Sequence, residues 1–228
     1  MIKQSNIELF TDAETLARSV IEGIKNTCEE AVKERGVFHF ALAGGTTPKR
    51  CYELLAAENL PWHKCFIYFG DERCLAVGDA ERNDTMARNV WLNQVSIPGD
   101  QIYSMPAELG PNEGAEQYLA LLEQAPQLDL ILLGLGEDGH TASLFPNNLA
   151  LQNERAAVPV FDSPKPPSER ISMSKHYINT AREKWFIVTG SGKRDAMAKM
   201  MNGEPLPATL ITGARWLVED ASMPEGDK

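Results

Sequence analysis

Apolar positions recur at helical spacing through Leu16, Val20, Ile24, Cys28 and Ala31, directly after Thr11-Asp12-Ala13-Glu14, which reads as a capping box. The spacing predicts a helix to about Arg35. Lys33 and Arg35 suit its negative end, and Gly36 can take the left-handed stop conformation. Four short runs are nearly continuous in apolar or aromatic residues: Val37 to Ala43, Cys65 to Phe69, Leu128 to Leu133 and Trp185 to Val188. Strands buried on both faces have this composition. Helical patterns lie between them at Pro48 to Ala57, Asn83 to Leu92 and Glu113 to Gln124. Such alternation predicts an α/β fold, a mostly parallel sheet covered by helices on both faces.

Pro146, Pro159, Pro164, Pro166 and Pro167 crowd the stretch from 146 to 170, which is too proline-rich for a helix and awkward for a central strand. It reads as a long surface connection inside one domain spanning 1–228. A chain of 228 residues buries roughly 70 to 75% of its unfolded surface, so it needs no staples. Cys28, Cys51, Cys65 and Cys74 show neither a Cys-x-x-Cys pair nor zinc-site spacing. Neither a disulfide framework nor a metal is expected, and a reducing cytoplasm suits these thiols. Met1 to Phe10 has no signal-peptide pattern, and no apolar run approaches the length of a membrane span. The net charge of −10, from 22 basic and 32 acidic residues, argues against a nucleic-acid partner. A single small phosphate needs only a few converging donors and remains compatible with it.

Ligands of open α/β sheets bind outside the carboxyl ends of the strands. Three such ends carry candidate chemistry. In Gly44-Gly45-Thr46-Thr47-Pro48, the glycines allow close backbone approach, Thr47 can cap the helix, and the free amides and hydroxyls favour an anion. Lys49 and Arg50 strengthen that reading, because cations in a first helical turn oppose the macrodipole unless an anion is near. Gly70-Asp71-Glu72-Arg73 sets carboxylates and a guanidinium at the end of the Cys65 to Phe69 run, suited either to a polyol substrate or to a structural ion pair.

The third, Leu133 to Ser143, contains a literal G-x-G-x-x-G. The presumed helix meets Pro146 within two turns, Asp138 would place an anion in a pyrophosphate cradle, and the motif lies mid-chain, so a dinucleotide site is rejected. What the segment offers is His140, able to accept and donate a proton at neutral pH, with Asp138 able to orient its ring. No G-x-S-x-G elbow or His-x-x-x-His pair supports nucleophilic or zinc chemistry. Lys193, after the last buried run and opening a helix, is well placed for a phosphate.

Together these segments resemble the 6-phosphogluconolactonase family. The resemblance rests on Gly44-Gly45-Thr46-Thr47-Pro48, on Asp71-Glu72-Arg73 with Asn83, on Leu133 through Pro146, on Arg170-Ile171-Ser172, and on Thr189-Gly190 with Lys193, in that order over about residues 40 to 195. It implies a Rossmann-like fold shared with glucosamine-6-phosphate deaminases and hydrolysis of 6-phospho-D-glucono-1,5-lactone without a cofactor. His140 would be the acid/base and Asp138 its orienting partner. Gly44, Gly45, Thr46, Thr47, Asp71, Arg73, Arg170 and Lys193 would bind substrate in a monomer or small homo-oligomer. Two departures stand out: Leu75-Ala76-Val77-Gly78 replaces the prolines common after Asp-Glu-Arg, and Thr46 replaces a common serine. The alternatives are a deaminase and a non-catalytic sugar-phosphate sensor. Deaminase relatives carry a glutamate where this chain has Phe145 and a tyrosine where it has Arg73.

Overall fold

The structure, a computed structural model, describes residues 6–225, so the first five residues of the Met1 to Phe10 stretch lie outside the described residues. Strand β1 (Ile7–Phe10) leads into helix α1 (Ala13–Arg35). Asp12, one residue later than a cap on Thr11, is the N-cap: its Oδ1 accepts the Thr15 amide at 2.8 Å. Glu14 does not reach back to complete a capping box; it pairs instead with Arg50 and Arg18. Gly36 closes the helix as expected, its amide donating to Val32 O. Leu16, Val20, Ile24, Cys28 and Ala31 are all buried along one face, each large apolar side chain contributing about 1.5 to 3 kcal/mol.

The apolar runs form β2 (Phe38–Leu42), β3 (Cys65–Phe69), β5 (Leu130–Leu133) and β8 (Glu183–Val188), with β4 (Asp71–Arg73) following β3. The predicted helices appear as α2 (Thr46–Leu55), α3 (Asn83–Ala87) continued by a π turn over Arg88–Leu92, and α4 (Pro111–Leu122). Helix α2 begins two residues before Pro48, so Gly45 occupies the cap position and Thr47 lies inside the first turn.

The stretch from 146 to 170 is more than a connection. It contains β6 (Ala157–Val160) and leads into β7 (Arg170–Met173), which form a three-stranded antiparallel sheet in the order β4-β7-β6. Pro159 is accommodated because β6 is an edge strand. Helix α4 packs against β6 and β7. The chain ends with α5 (Lys175–Thr180), β8, α6 (Arg194–Met201) and β9 (Arg215–Glu219).

The larger sheet is parallel throughout, in the order β1-β9-β8-β5-β2-β3. From β2 the chain places β3 on one side and β5, β8 and β9 on the other, so the order reverses between β2 and β5. That reversal is a topological switch point, where a crevice opens at the carboxyl ends. Two tyrosines hold the chain where it leaves the sheet. The Tyr52 hydroxyl accepts from Ala43 N and donates to Ala43 O, and Tyr118 does the same for Phe69. No helix among the described residues is long and apolar enough to cross a membrane.

Candidate active site

A solvent-open cleft with about 790 Å³ of empty space lies at the switch point, bounded by the ends of β2, β3 and β5. Of the residues singled out in the sequence, Gly44, Gly45, Asp71, Arg73, His140, Arg170 and Lys193 line it. Thr46 and Thr47 stand beside it in the first turn of α2 rather than on its wall. Thr46 is exposed, and the Thr47 hydroxyl lies 2.6 Å from that of Thr189. Arg50, read as a cation awaiting an anion, is satisfied by Glu14 and Glu53.

No α-helix opens on the glycine-rich segment after β5. Residues 134–144 form consecutive turns, closed by hydrogen bonds from Gly136 N to His140 O and from Gly139 N to Gly136 O. Within them Asp138 Oδ1 accepts the His140 amide at 3.1 Å and lies 2.5 Å from His140 Nδ1. Burial disfavours the ionised Asp138 carboxyl, yet the hydrogen bonds and charge of His140 outweigh it and hold its pKa at about 2. Asp138 is therefore the acceptor and Nδ1 the donor. Nε2 is left without a hydrogen-bond partner among the described residues. The Phe145 ring packs against the imidazole with centroids 4.4 Å apart, and Arg170 lies over the same ring at 5.5 Å. Gly136 makes this arrangement sterically allowed: a Cβ there would stand 1.9 Å from His140 Nδ1 and 2.7 Å from Asp138 Oδ1.

The second strand end braces the histidine loop. Asp71 Oδ2 accepts the Ser143 hydroxyl at 2.6 Å, and the Ser143 amide donates to Ser172 Oγ on β7. Asn83 Nδ2 donates to the Asp71 carbonyl at 2.8 Å, and its side chain fills the space a Cβ on Gly44 would need. Glu72, wholly buried, accepts the amides of Arg73, Asn83 and Asp84, with Arg82 Nε 3.8 Å away. Burial pushes its carboxyl up to about 7 against those donors. Thus Glu72 ties β4 to α3, while Asp71 turns toward the cleft and the histidine loop.

Four cationic side chains converge on the cleft: Arg73, Lys165, Arg170 and Lys193. Arg170 is 4% exposed and donates to the carbonyls of Lys165, Pro166 and Pro167, closing the 163–168 segment into a strap that carries Lys165 to the cleft. Lys165 Nζ is 3.9 Å from Glu137. Burial pushes both Arg170 and Lys193 below their ordinary values, with Asp71 offsetting the effect on the former and Glu137 on the latter. Arg73 Nε is buried with no partner among the described residues. Two features carried no sequence signal: Lys165, inside the proline-rich stretch, and the bracing role of Ser143, which has no G-x-S-x-G setting and needs Asp71 from a distant strand. The signal for Asn83 was present, since it stands among the family-like residues.

The model of the family described as glucosamine-6-phosphate isomerases/6-phosphogluconolactonase matches residues 11–218. The chain belongs to this family. Among the relatives of the isomerase/lactonase family it resembles, a Nostoc protein named 6-phosphogluconolactonase is 36% identical over 206 residues, 86% of this chain and 85% of the relative. The solved 6-phosphogluconolactonase from Thermotoga maritima superposes with a TM-score of 0.87 at 26% identity, covering 93% of this chain and 98% of that one. A structure described as a monomeric glucosamine-6-phosphate deaminase superposes with a TM-score of 0.83 at 18% identity over 95% and 98% of the two chains, a likeness of fold alone.

Proposed function

We propose that this protein hydrolyses 6-phospho-D-glucono-1,5-lactone to 6-phospho-D-gluconate, with His140 as the acid/base. The observation that carries the reading is the Asp138–His140 pair, 2.5 Å apart, on a cleft that also receives four cationic side chains. The Nostoc and Thermotoga relatives, both named 6-phosphogluconolactonases, support the substrate.

A lactone carbonyl is already electrophilic, so a held water and a base suffice. His140 Nε2 takes a proton from water as its oxygen bonds to C1. The tetrahedral intermediate then expels the ring oxygen, and the same nitrogen returns the proton to it as the C1–O bond breaks. Asp138 keeps Nδ1–H in place throughout, fixing the tautomer that leaves Nε2 basic. Acid–base help of this kind contributes about 10² to 10⁴ in rate. The 6-phosphate is held by the cations and the amides at Gly44 and Gly45, which converts binding into positioning of C1. Arg73, with an unused buried donor, serves the phosphate or the developing oxyanion. The reading includes one domain over 1–228, a cytoplasmic location, no nucleic-acid partner, and action as a monomer or small homo-oligomer.

The test is loss of freshly made lactone against its spontaneous hydrolysis. The intact chain should accelerate it, and His140→Ala should lose most of the acceleration while still binding 6-phosphogluconate. Absence of acceleration overturns the reading, full activity in the variant removes His140 from the chemistry, and ammonia release from glucosamine 6-phosphate would point to a deaminase.

A further inference from the structure

A second cavity, with about 890 Å³ of empty space including its open mouth, lies beneath α4 toward the other end of the same strands. Its walls include His39, Phe66, Tyr68, Tyr103, Leu121 and Gln124. The cleft is lined by Leu42 and Gly70, three residues beyond His39 on β2 and two beyond Tyr68 on β3, so the two cavities are separated by about 7 to 10 Å of strand. His39 and Phe66 are register partners on β2 and β3 and stack with centroids 4.9 Å apart, while Tyr103 faces both Phe66 and Tyr68.

The chemistry differs from that of the cleft. Among the described residues no carboxylate, lysine or arginine lines this cavity, so a phosphosugar finds nothing there to neutralise its charge. Aromatic faces and edges instead suit a flat apolar ring. One polar group is conspicuous by its setting: His39 is 5% exposed, its Nδ1 lies 3.1 Å from the Tyr68 hydroxyl, and its Nε2 has no hydrogen-bond partner among the described residues. The buried Tyr68 hydroxyl has no other acceptor among the described residues, so it donates to Nδ1 and the imidazole proton falls on Nε2. Burial lowers the pKa of His39, with Asp129 partly opposing, and so keeps the ring neutral. The cavity therefore offers, on an aromatic wall, an N–H donor that no protein group among the described residues engages.

We propose that this cavity is a second binding site, for an uncharged planar heteroaromatic molecule of one or two rings that presents a hydrogen-bond acceptor to His39 Nε2. The inference is independent of the lactonase reading.

Quinoline, neutral at physiological pH and carrying one acceptor nitrogen, is the probe. Titrated into the full chain under NMR observation, it should shift the resonances of Phe66, Tyr103, Leu121 and His39 Nε2 saturably, with a dissociation constant on the order of 0.1 to 1 mM, as expected of a fragment of this size. Saturating 6-phosphogluconate should leave the titration unchanged. His39→Phe, which keeps a ring but removes the donor, should weaken binding about tenfold. Ala120→Trp, on the exposed flank of α4, should fill the cavity and abolish binding without disturbing the buried His39–Tyr68 pair, and it serves as the test if His39→Phe fails to fold. No saturable shift up to about 10 mM quinoline, far above the affinity range of such fragments, overturns the proposal. So does equal affinity in a folded His39→Phe variant, or displacement by 6-phosphogluconate. Concentration-dependent dimerisation of the free chain that Ala120→Trp abolishes would assign the cavity to a second copy and likewise overturn it.

Discussion

Oδ1 of Asp138 lies 2.5 Å from Nδ1 of His140 and accepts that residue's backbone amide as well, so one carboxylate oxygen fixes both the ring and the peptide that carries it. The two residues are only two apart in sequence, and the turn between them brings side chain and main chain onto the same acceptor. The geometry depends on a residue that contributes no side chain, Gly136.

Gly136→Ala should therefore abolish most activity without unfolding the chain. The added methyl would stand 1.9 Å from His140 Nδ1, and the imidazole must swing away from Asp138 to admit it. A fall in kcat of about 10² or more, the scale of a lost acid/base, is expected with an unchanged circular dichroism spectrum. Near-normal kcat would mean that the ring position tolerates displacement.

Asp138 should leave a mark on acid stability. Its carboxyl titrates at about 2 in the folded chain against an ordinary value of 3.8, so the folded state binds fewer protons between those limits. Its contribution is complete above about pH 4 and is lost as pH falls through 2. The difference in urea midpoint between the protein and Asp138→Asn should shrink on going from pH 5 to pH 2. A difference that does not change with pH would argue that the pair is not ionised as described.

Lys165 reaches the cleft on a strap, and its side chain is about half exposed, a setting suited to attracting an anionic substrate rather than to proton transfer. Lys165→Ala should raise KM for the phosphosugar several-fold with kcat nearly unchanged, and should weaken the dependence of KM on salt. A fall in kcat at constant KM would place Lys165 at the reacting carbon instead.

Glu72 supports the site without reaching it. Glu72→Ala would strip the buried amides of Arg73, Asn83 and Asp84 of their acceptor and leave Arg82 without one of its buried carboxylates. A loss of about 3 to 5 kcal/mol in unfolding free energy is expected from equilibrium urea denaturation. A loss below about 1 kcal/mol, the worth of a single ordinary hydrogen bond, would show that β4 and α3 hold together by other contacts.

Much of the architecture was legible because burial on both faces forces a strand to be apolar along its whole length. Cys65–Phe69 and Leu130–Leu133 could be read directly, as could α1 with its stop at Gly36. Strands β1 and β9 and the three-stranded sheet were not. Their strands are three to five residues long, and several carry polar or proline residues, as in Asp71–Arg73 and Ala157–Val160, so no periodicity develops. The resemblance of the Gly134 to Gly139 stretch to a dinucleotide fingerprint is resolved in the same physical terms: the segment is a series of turns on which no α-helix opens.

The sequence by itself determined the Asp138–His140 pairing, because the two residues meet through local turn geometry that needs only a few neighbouring residues. It also determined the parallel core, because hydrophobic pattern is a local property. Tertiary structure alone decided what surrounds that pair. Ser143 finds Asp71 across 72 positions, Arg170 orders the strap that presents Lys165, and the Phe145 ring meets both the His140 imidazole and the Arg170 guanidinium. The Asp71–Ser143 and Phe145–Arg170 contacts join segments that are distant in the chain, and only the reversal of strand order between β2 and β5 brings their ends to one crevice.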